Sequence, residues 1–133
     1  MVPVHLITRD AFREYLARLD EHGVLAAHIS SQYFRLEPVL AVVARDVGLV
    51  CLYQHHQVPP QEVERGIVSS RWVLMARRVE DLAGLAEDTR WRRMESDPGE
   101  RVWTDDYANV VGAVIWSREA EARQRLGPAG LGR

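Results

Sequence analysis

Apolar positions along this chain form three kinds of run, and each predicts a different element. After Thr8, a hydroxyl residue suited to an N-cap, Phe12, Tyr15, Leu16 and Leu19 recur at i, i+3, i+4 and i+7. That spacing puts them on one face of a helix, with Asp10 in its first turn, and Gly23 marks its stop. The next stretch, GVLAAHIS from Gly23 to Ser30, is continuously apolar as far as His28. A short apolar run without alternation predicts a strand covered on both faces, as in a parallel sheet between helices. Pro38 suits the first turn of a second helix. Val39, Leu40, Val43 and Val47 form its stripe, and Gly48 ends it.

Two further strands are predicted, LVCLYQ (Leu49 to Gln54) and SSRWVLMAR (Ser69 to Arg77). Between them, His55 to Val68 is polar and contains Pro59 and Pro60, which reads as a loop. VEDLAGLAE (Val79 to Glu87) predicts a short helix, Thr89 to Val102 an irregular stretch, and Tyr107 to Trp116 a last helix running on into SREAEARQR. The glycine-rich end, residues 127–133, reads as a disordered tail. The order of helix, strand, helix, strand, loop, strand, helix, helix is α/β. It has about three strands, few for such a sheet.

Composition narrows the setting. With 133 residues the chain is one domain, read as spanning residues 1–126, and 47% hydrophobic residues suffice for a core. A formal net charge of −2 leaves no electrostatic footprint for nucleic acid. Cys51 is the only cysteine, so no internal disulfide forms. Its apolar neighbours make it a core thiol suited to the reducing cytoplasm. No apolar run approaches the ~18 residues of a membrane span, and no signal peptide is visible.

Few residues carry candidate chemistry. In WTDDYANVV (Trp103 to Val111), Asp105 and Asp106 stand between two aromatic residues ahead of an apolar run. Thr104 or Asp105 could cap the last helix. Alternatively, the two carboxylates and the Tyr107 phenol could hold an ammonium group by charge-assisted hydrogen bonds, as for a polyamine. His28 and Ser30 end the first strand and Tyr33 opens the next loop, the position that faces the ligand crevice in open α/β sheets. A hydrogen-bonded core histidine is the alternative there. His55 and His56, adjacent on a strand, point to opposite faces and make poor partners for one metal. No nucleophile elbow surrounds Ser69 or Ser70. The residues by themselves therefore give no catalytic group and no metal site.

Four segments together resemble the spermidine synthase-like (polyamine aminopropyltransferase) family within the class I S-adenosylmethionine-dependent methyltransferase superfamily. They are VPVHLITRDAFREYLARLDEHGVLAAHIS, QYFRLEPVLAVVARDVGL, SSRWVLMAR and WTDDYAN, which cover most of Val2 to Val111 in family order. The resemblance implies the C-terminal half of a Rossmann-like domain in a mixed sheet. Its strand order is 5-7-6, with SSRWVLMAR antiparallel between the other two. Complete members bind S-adenosylmethionine or its decarboxylated form on an earlier half, through a glycine-rich loop, an acidic residue and a catalytic aspartate. No G-x-G-x-x-G motif occurs here, and the chain opens just past the place of that aspartate. The expectation is a transferase relative without cofactor or catalysis as an isolated chain. The alternative is the C-terminal part of an active transferase completed by a missing N-terminal segment or partner. In either case strand 23–30 would be left as an apolar edge. A second copy, a separate N-terminal half or a rearranged helix is expected to cover it, a second copy through Leu25, Ala27 or Ile29 with Phe12 or Tyr15 from the preceding helix.

Overall fold

The computed structural model describes residues 4–29 and 34–109. The first helix, α1 (Arg9–Arg18), starts where the sequence places it. The Thr8 hydroxyl accepts the Ala11 backbone N–H at 3.2 Å and satisfies one of the free donors of the first turn. Its last turn is closed from a distance. The Arg77 guanidinium donates to the carbonyl oxygens of Leu16, Leu19 and Asp20, groups that a helix end leaves without partners.

The second helix, α2 (Glu37–Asp46), carries Pro38 in its first turn and is followed by Gly48 at φ 76°, a left-handed position where a glycine fits without a Cβ clash. Val39, Leu40, Ala41, Val42, Val43 and Ala44 are all buried in succession. A helix apolar on every side must be covered on every side. The strands lie on one flank, and the chain from Met94 to Trp103 crosses the molecule beyond it. Arg45 fastens that segment by donating to the Asp97 carbonyl at 3.1 Å.

Four strands form one sheet in the order β1-β3-β2-β4: β1 (Val24–Ile29), β2 (Val50–His56), β3 (Ser70–Ala76) and β4 (Arg92–Arg93). Every hydrogen-bonded pair is antiparallel. β3 therefore lies antiparallel between β1 and β2, as expected for SSRWVLMAR. β1 and β2 point the same way without touching. The expected three-strand sheet is corrected to four strands, and no parallel pair occurs among the described residues. A pair of arginines has no apolar pattern, which is why β4 reads as irregular in the sequence.

Three other expectations change. β1 is not buried on both faces: Leu25, Ala27 and Ile29 pack under the helices, while Val24, Ala26 and His28 face outward. Its unbroken apolar run reflects small and apolar residues on an open face rather than a second covering layer. The stretch after β2 contains a single helical turn, α3 (Pro60–Val63), and the strand itself runs on to His56. VEDLAGLAE forms two short 3-10 turns, Val79–Leu82 and Leu85–Glu87, because Ala83 and Gly84 between them both adopt positive φ (49° and 78°) and break the helix.

The core has two unequal layers. On the helical side Phe12, Leu40, Val43 and Ala44 meet Ile29, Cys51, Val73 and Met75. On the other side Leu82 covers Leu52 and Ala76, with Trp91 at the margin. This second layer stops short of β1 and the neighbouring start of β3, where Val24 and Trp72 remain 39% and 38% exposed. Among the described residues no helix is long and apolar enough to cross a membrane.

The asymmetry makes a direct prediction. Leu40→Ala should lower unfolding free energy by about 2–5 kcal/mol in urea titrations, from lost burial plus a cavity. Val24→Ala, on the open face, should cost less than about 1 kcal/mol. Equal costs at the two positions would contradict this distribution of the core.

Candidate functional site

The first turn of α2 brings together three polar residues from separate elements. Glu37 lies only 8% exposed at the helix start. Its Oε1 accepts from Arg71 Nη1 on β3 at 3.0 Å and from the Tyr53 hydroxyl on β2 at 3.3 Å. Its Oε2 is buried and has no hydrogen-bond partner among the described residues. A buried carboxylate oxygen without a donor is costly, and such an atom calls for an explanation. Burial, and then the neighbouring Glu37 charge, push the Tyr53 phenol up to about 12, so at neutral pH it stays a hydrogen-bond donor. His55, on the same face of β2 and opposite Arg71 in register, is held below the ordinary histidine range. Burial is the first cause and the Arg71 charge the second.

Two adjoining cavities of about 330 and 340 Å³ open beside this group. They share Arg35, Pro38, Asp97 and Glu100. The smaller is lined by Glu37, Tyr53 and Glu95 as well, the larger by Arg101, Trp103 and Tyr107. Four carboxylates, Glu37, Glu95, Asp97 and Glu100, face the smaller cavity against one arginine, Arg35. The Arg101 guanidinium in the larger one lies 3.9 Å over the Tyr107 ring, in cation–π contact. The combined cleft therefore has an acidic end and an aromatic end.

No family model matches this chain, and no match is found among curated proteins or solved structures.

The residues singled out from sequence are dispersed. Asp105 does not cap a helix of its own. Thr104 and Tyr107 exchange backbone hydrogen bonds at 2.8 and 3.1 Å and close a tight turn. Asp105 Oδ1 then accepts from the Thr8 hydroxyl at 2.7 Å, and its backbone N–H donates to Asp10 Oδ2 at 3.0 Å. Asp105 thus braces the N-cap of α1, a role that requires contact across the whole chain. Asp106 is exposed and makes no hydrogen bond or ion pair among the described residues. The aspartates are not joint ligands of one group, and of the turn only Tyr107 lines the cleft. His28 lies on the opposite face of the sheet, exposed, with its ring 4.7 Å from that of Trp72. Tyr107 to Asn109, the expected start of the last helix, are not helical, and Ser30, Tyr33 and the rest of that expected helix, from residue 110, lie outside the described residues.

Cys51 is buried, and burial pushes its thiol up to about 12, so it is an inert core group as expected. Among the described residues no cluster of three or more histidine, cysteine or acidic side chains could hold a metal.

The bracing role of Asp105 is testable by a double-mutant cycle. Thr8→Ala and Asp105→Ala should each lower stability by about 0.5–2 kcal/mol. Because the two groups share one hydrogen bond, the double variant should cost less than the sum by at least about 0.5 kcal/mol. Strict additivity in thermal or urea denaturation would dissociate the turn from the helix cap.

Proposed function

We propose that this chain is the acceptor-binding half of a spermidine synthase-like transferase, and that it holds an alkylamine in the acidic cleft beside Glu37. The observation that carries this reading is the buried, unpartnered Oε2 of Glu37 at the wall of a cavity with three further carboxylates. An ammonium group offers the donors and the positive charge that such a wall lacks. The Tyr53 hydroxyl, kept protonated, adds a neutral dipole, and Tyr107 an aromatic surface for the alkyl chain. The strand order, with an antiparallel strand inserted between two co-directional ones, agrees with the family resemblance of the sequence.

In this reading the chain contributes orientation. The chemistry is attack by the amine nitrogen on a carbon next to a sulfonium, and positioning alone accounts for a large share of such a rate. The sulfonium compound, S-adenosylmethionine or its decarboxylated form, would be held by residues outside this sequence, which contains no glycine-rich nucleotide loop. Calorimetry on the purified chain should then show no saturable micromolar site for S-adenosylmethionine.

Spermidine or putrescine at low salt should raise the melting temperature by roughly 4 °C or more at about a hundred times Kd. Glu37→Gln should abolish the rise. Since that change also removes the partner of Arg71, the pair Glu95→Gln and Glu100→Gln provides a second test, and should reduce the rise without unfolding the chain. A rise that persists in both variants, or no rise in the native chain, would refute the amine site.

A second reading rests on the open face of β1 and the start of β3 beside it. The apolar Val24 and Trp72 are more than a third exposed, and no described strand pairs with the outer edge of β1. We propose that a second copy pairs there, satisfying the edge N–H and C=O groups in a closed two-fold dimer. Leu25, Ala27 and Ile29, which the sequence suggests for this contact together with Phe12 or Tyr15, pack into the core, as do Phe12 and Tyr15. The outward residues Val24, Ala26 and His28 would form it. Sedimentation equilibrium at micromolar concentration should give a dimer, and Ala26→Lys a folded monomer. A native monomer under these conditions would eliminate this reading.

A further inference from the structure

β2 is longer than its neighbour β4. The two pair only at Leu52–Arg93 and Tyr53–Arg92, so the outer edge of β2 from Gln54 onward has no β4 partner. The chain approaching β4 swings away from that edge through a turn closed by the Trp91 N–H on the Asp88 carbonyl at 2.9 Å. A cavity of about 460 Å³ remains between the turn and the strand end. Because it wraps the strand edge, it collects side chains from both faces of β2, with His55 from one and Gln54 and His56 from the other. Thr89, Arg90 and Arg92 form the opposite wall.

No carboxylate lines this cavity among the described residues, in contrast to the acidic cleft beside α2. Its two arginines are in different states. Arg90 is fixed by Asp88, with Nη2 2.6 Å from Oδ2 and Nε 3.1 Å from both oxygens. That contact and the Arg90 backbone N–H hold the Asp88 carboxyl down to about 2, so the pair stays charged and self-neutralised near neutral pH. The Arg92 side chain makes no hydrogen bond or ion pair among the described residues. The cavity therefore presents one guanidinium without a partner among the described residues, with the imidazoles of His55 and His56 beside it. Gln54 and Thr89 supply neutral donors. A cavity of this size matches small-ligand sites in general.

We propose that this cavity at the free end of β2 is a binding site for a compact polyvalent oxyanion of the phosphate or diphosphate class, held chiefly by Arg92 with His55 and His56. Guanidinium and imidazolium groups converging on one pocket recognise phosphate oxygens by charge-assisted hydrogen bonds. A single carboxylate ligand would leave part of that donor set unused. His55 makes affinity depend on pH, because its imidazole is held below the ordinary histidine range. His55 faces Arg71 on β3 and Glu37 on α2, with the Tyr53 ring 6.5 Å away. His56 lies opposite Ser70 and next to His55. Arg90 and Arg92 face both from the far wall. Burial first and then the Arg71 charge oppose protonation of His55, and a bound polyanion offsets that charge, so anion binding and protonation of His55 reinforce each other.

The test is NMR titration of the full chain with pyrophosphate at fixed ionic strength. Saturable shifts should be confined to Gln54–Gln57 and Thr89–Arg92. Affinity should rise on the order of tenfold between about pH 7.5 and about pH 5.5, as the His55 imidazole takes up a proton. Arg92→Ala should weaken binding on the order of tenfold, and His55→Ala should remove most of the pH dependence. Both positions are exposed, so both variants should fold. An ADP arm identifies the source of the phosphate. Tighter binding than pyrophosphate, with added shifts from the base, indicates a nucleotide-borne group, and equal binding a free oxyanion. Shifts reproduced by chloride at equal ionic strength, or unchanged in Arg92→Ala, would overturn the site. So would the absence of saturable shifts in the native chain.

Discussion

The insertion of β3 between β1 and β2 is the constraint on which this molecule depends. Two strands that run the same way and are linked through α2 could pair directly, leaving β3 outside. Instead β3 uses both of its edges, with Leu74 opposite Ala26 on one side and Leu52 on the other. Its central residues Val73 and Met75 are almost fully buried against α2. Only this order brings Arg71 within reach of Glu37 and places Arg77 under the last turn of α1. The same order leaves β1 at the edge and the far end of β2 beyond the reach of β4. The ion pair, the helix closure and both open features of the sheet follow from a single topological choice.

The Glu37–Arg71–Tyr53 group stands apart energetically from the rest of the core. An apolar trio at these positions could be as stable or more so, since a buried ion pair must offset the desolvation of both charges. The fold already has a large apolar layer in Phe12, Leu40, Val43 and Met75 and does not need an ion pair to be compact. A half-satisfied carboxylate is worse still as a structural device, because one oxygen is desolvated without return. A polar group retained at such a cost, at a cavity wall, fits a site better than a scaffold.

Much of the framework is legible in the sequence because it rests on local rules. Thr8 ahead of an i, i+3, i+4, i+7 pattern gives α1, and Pro38 with Gly48 brackets α2. The place of SSRWVLMAR in the sheet is implied instead by the family resemblance, since no local pattern specifies strand order. The failures have physical causes. GVLAAHIS shows no alternation because alanine at position 26 is tolerated on an open face, so the residue types do not report which side is covered. Glu37 reads as an ordinary first-turn acid beside Pro38. Its burial depends on Tyr53 and Arg71, which are brought to it by the sheet register and not by any spacing along the chain. The cavity at His55 and His56 depends equally on where β4 stops, and two arginines carry no strand signal.

Asp105 shows how far a local reading can be right in chemistry and wrong in place. An aspartate near a helix start suggests capping, and Asp105 does serve a helix N-terminus, but that of α1, nearly the full length of the described chain away. The consequence is mechanical. The segment from Met94 to Tyr107 contains almost no regular structure of its own, yet it supplies Asp97, Glu100, Trp103 and Tyr107 to the cleft beside α2. A wall of that kind keeps its shape only if it is fastened at both ends. The Met94 N–H on the Cys51 carbonyl holds the start at 2.9 Å. At the other end the Arg9 N–H binds the Trp103 carbonyl at 2.7 Å, and Asp105 locks onto Thr8. The cleft is therefore shaped by the cap of α1 as much as by α2. A change that loosens Thr8 should loosen the cleft even though Thr8 does not line it.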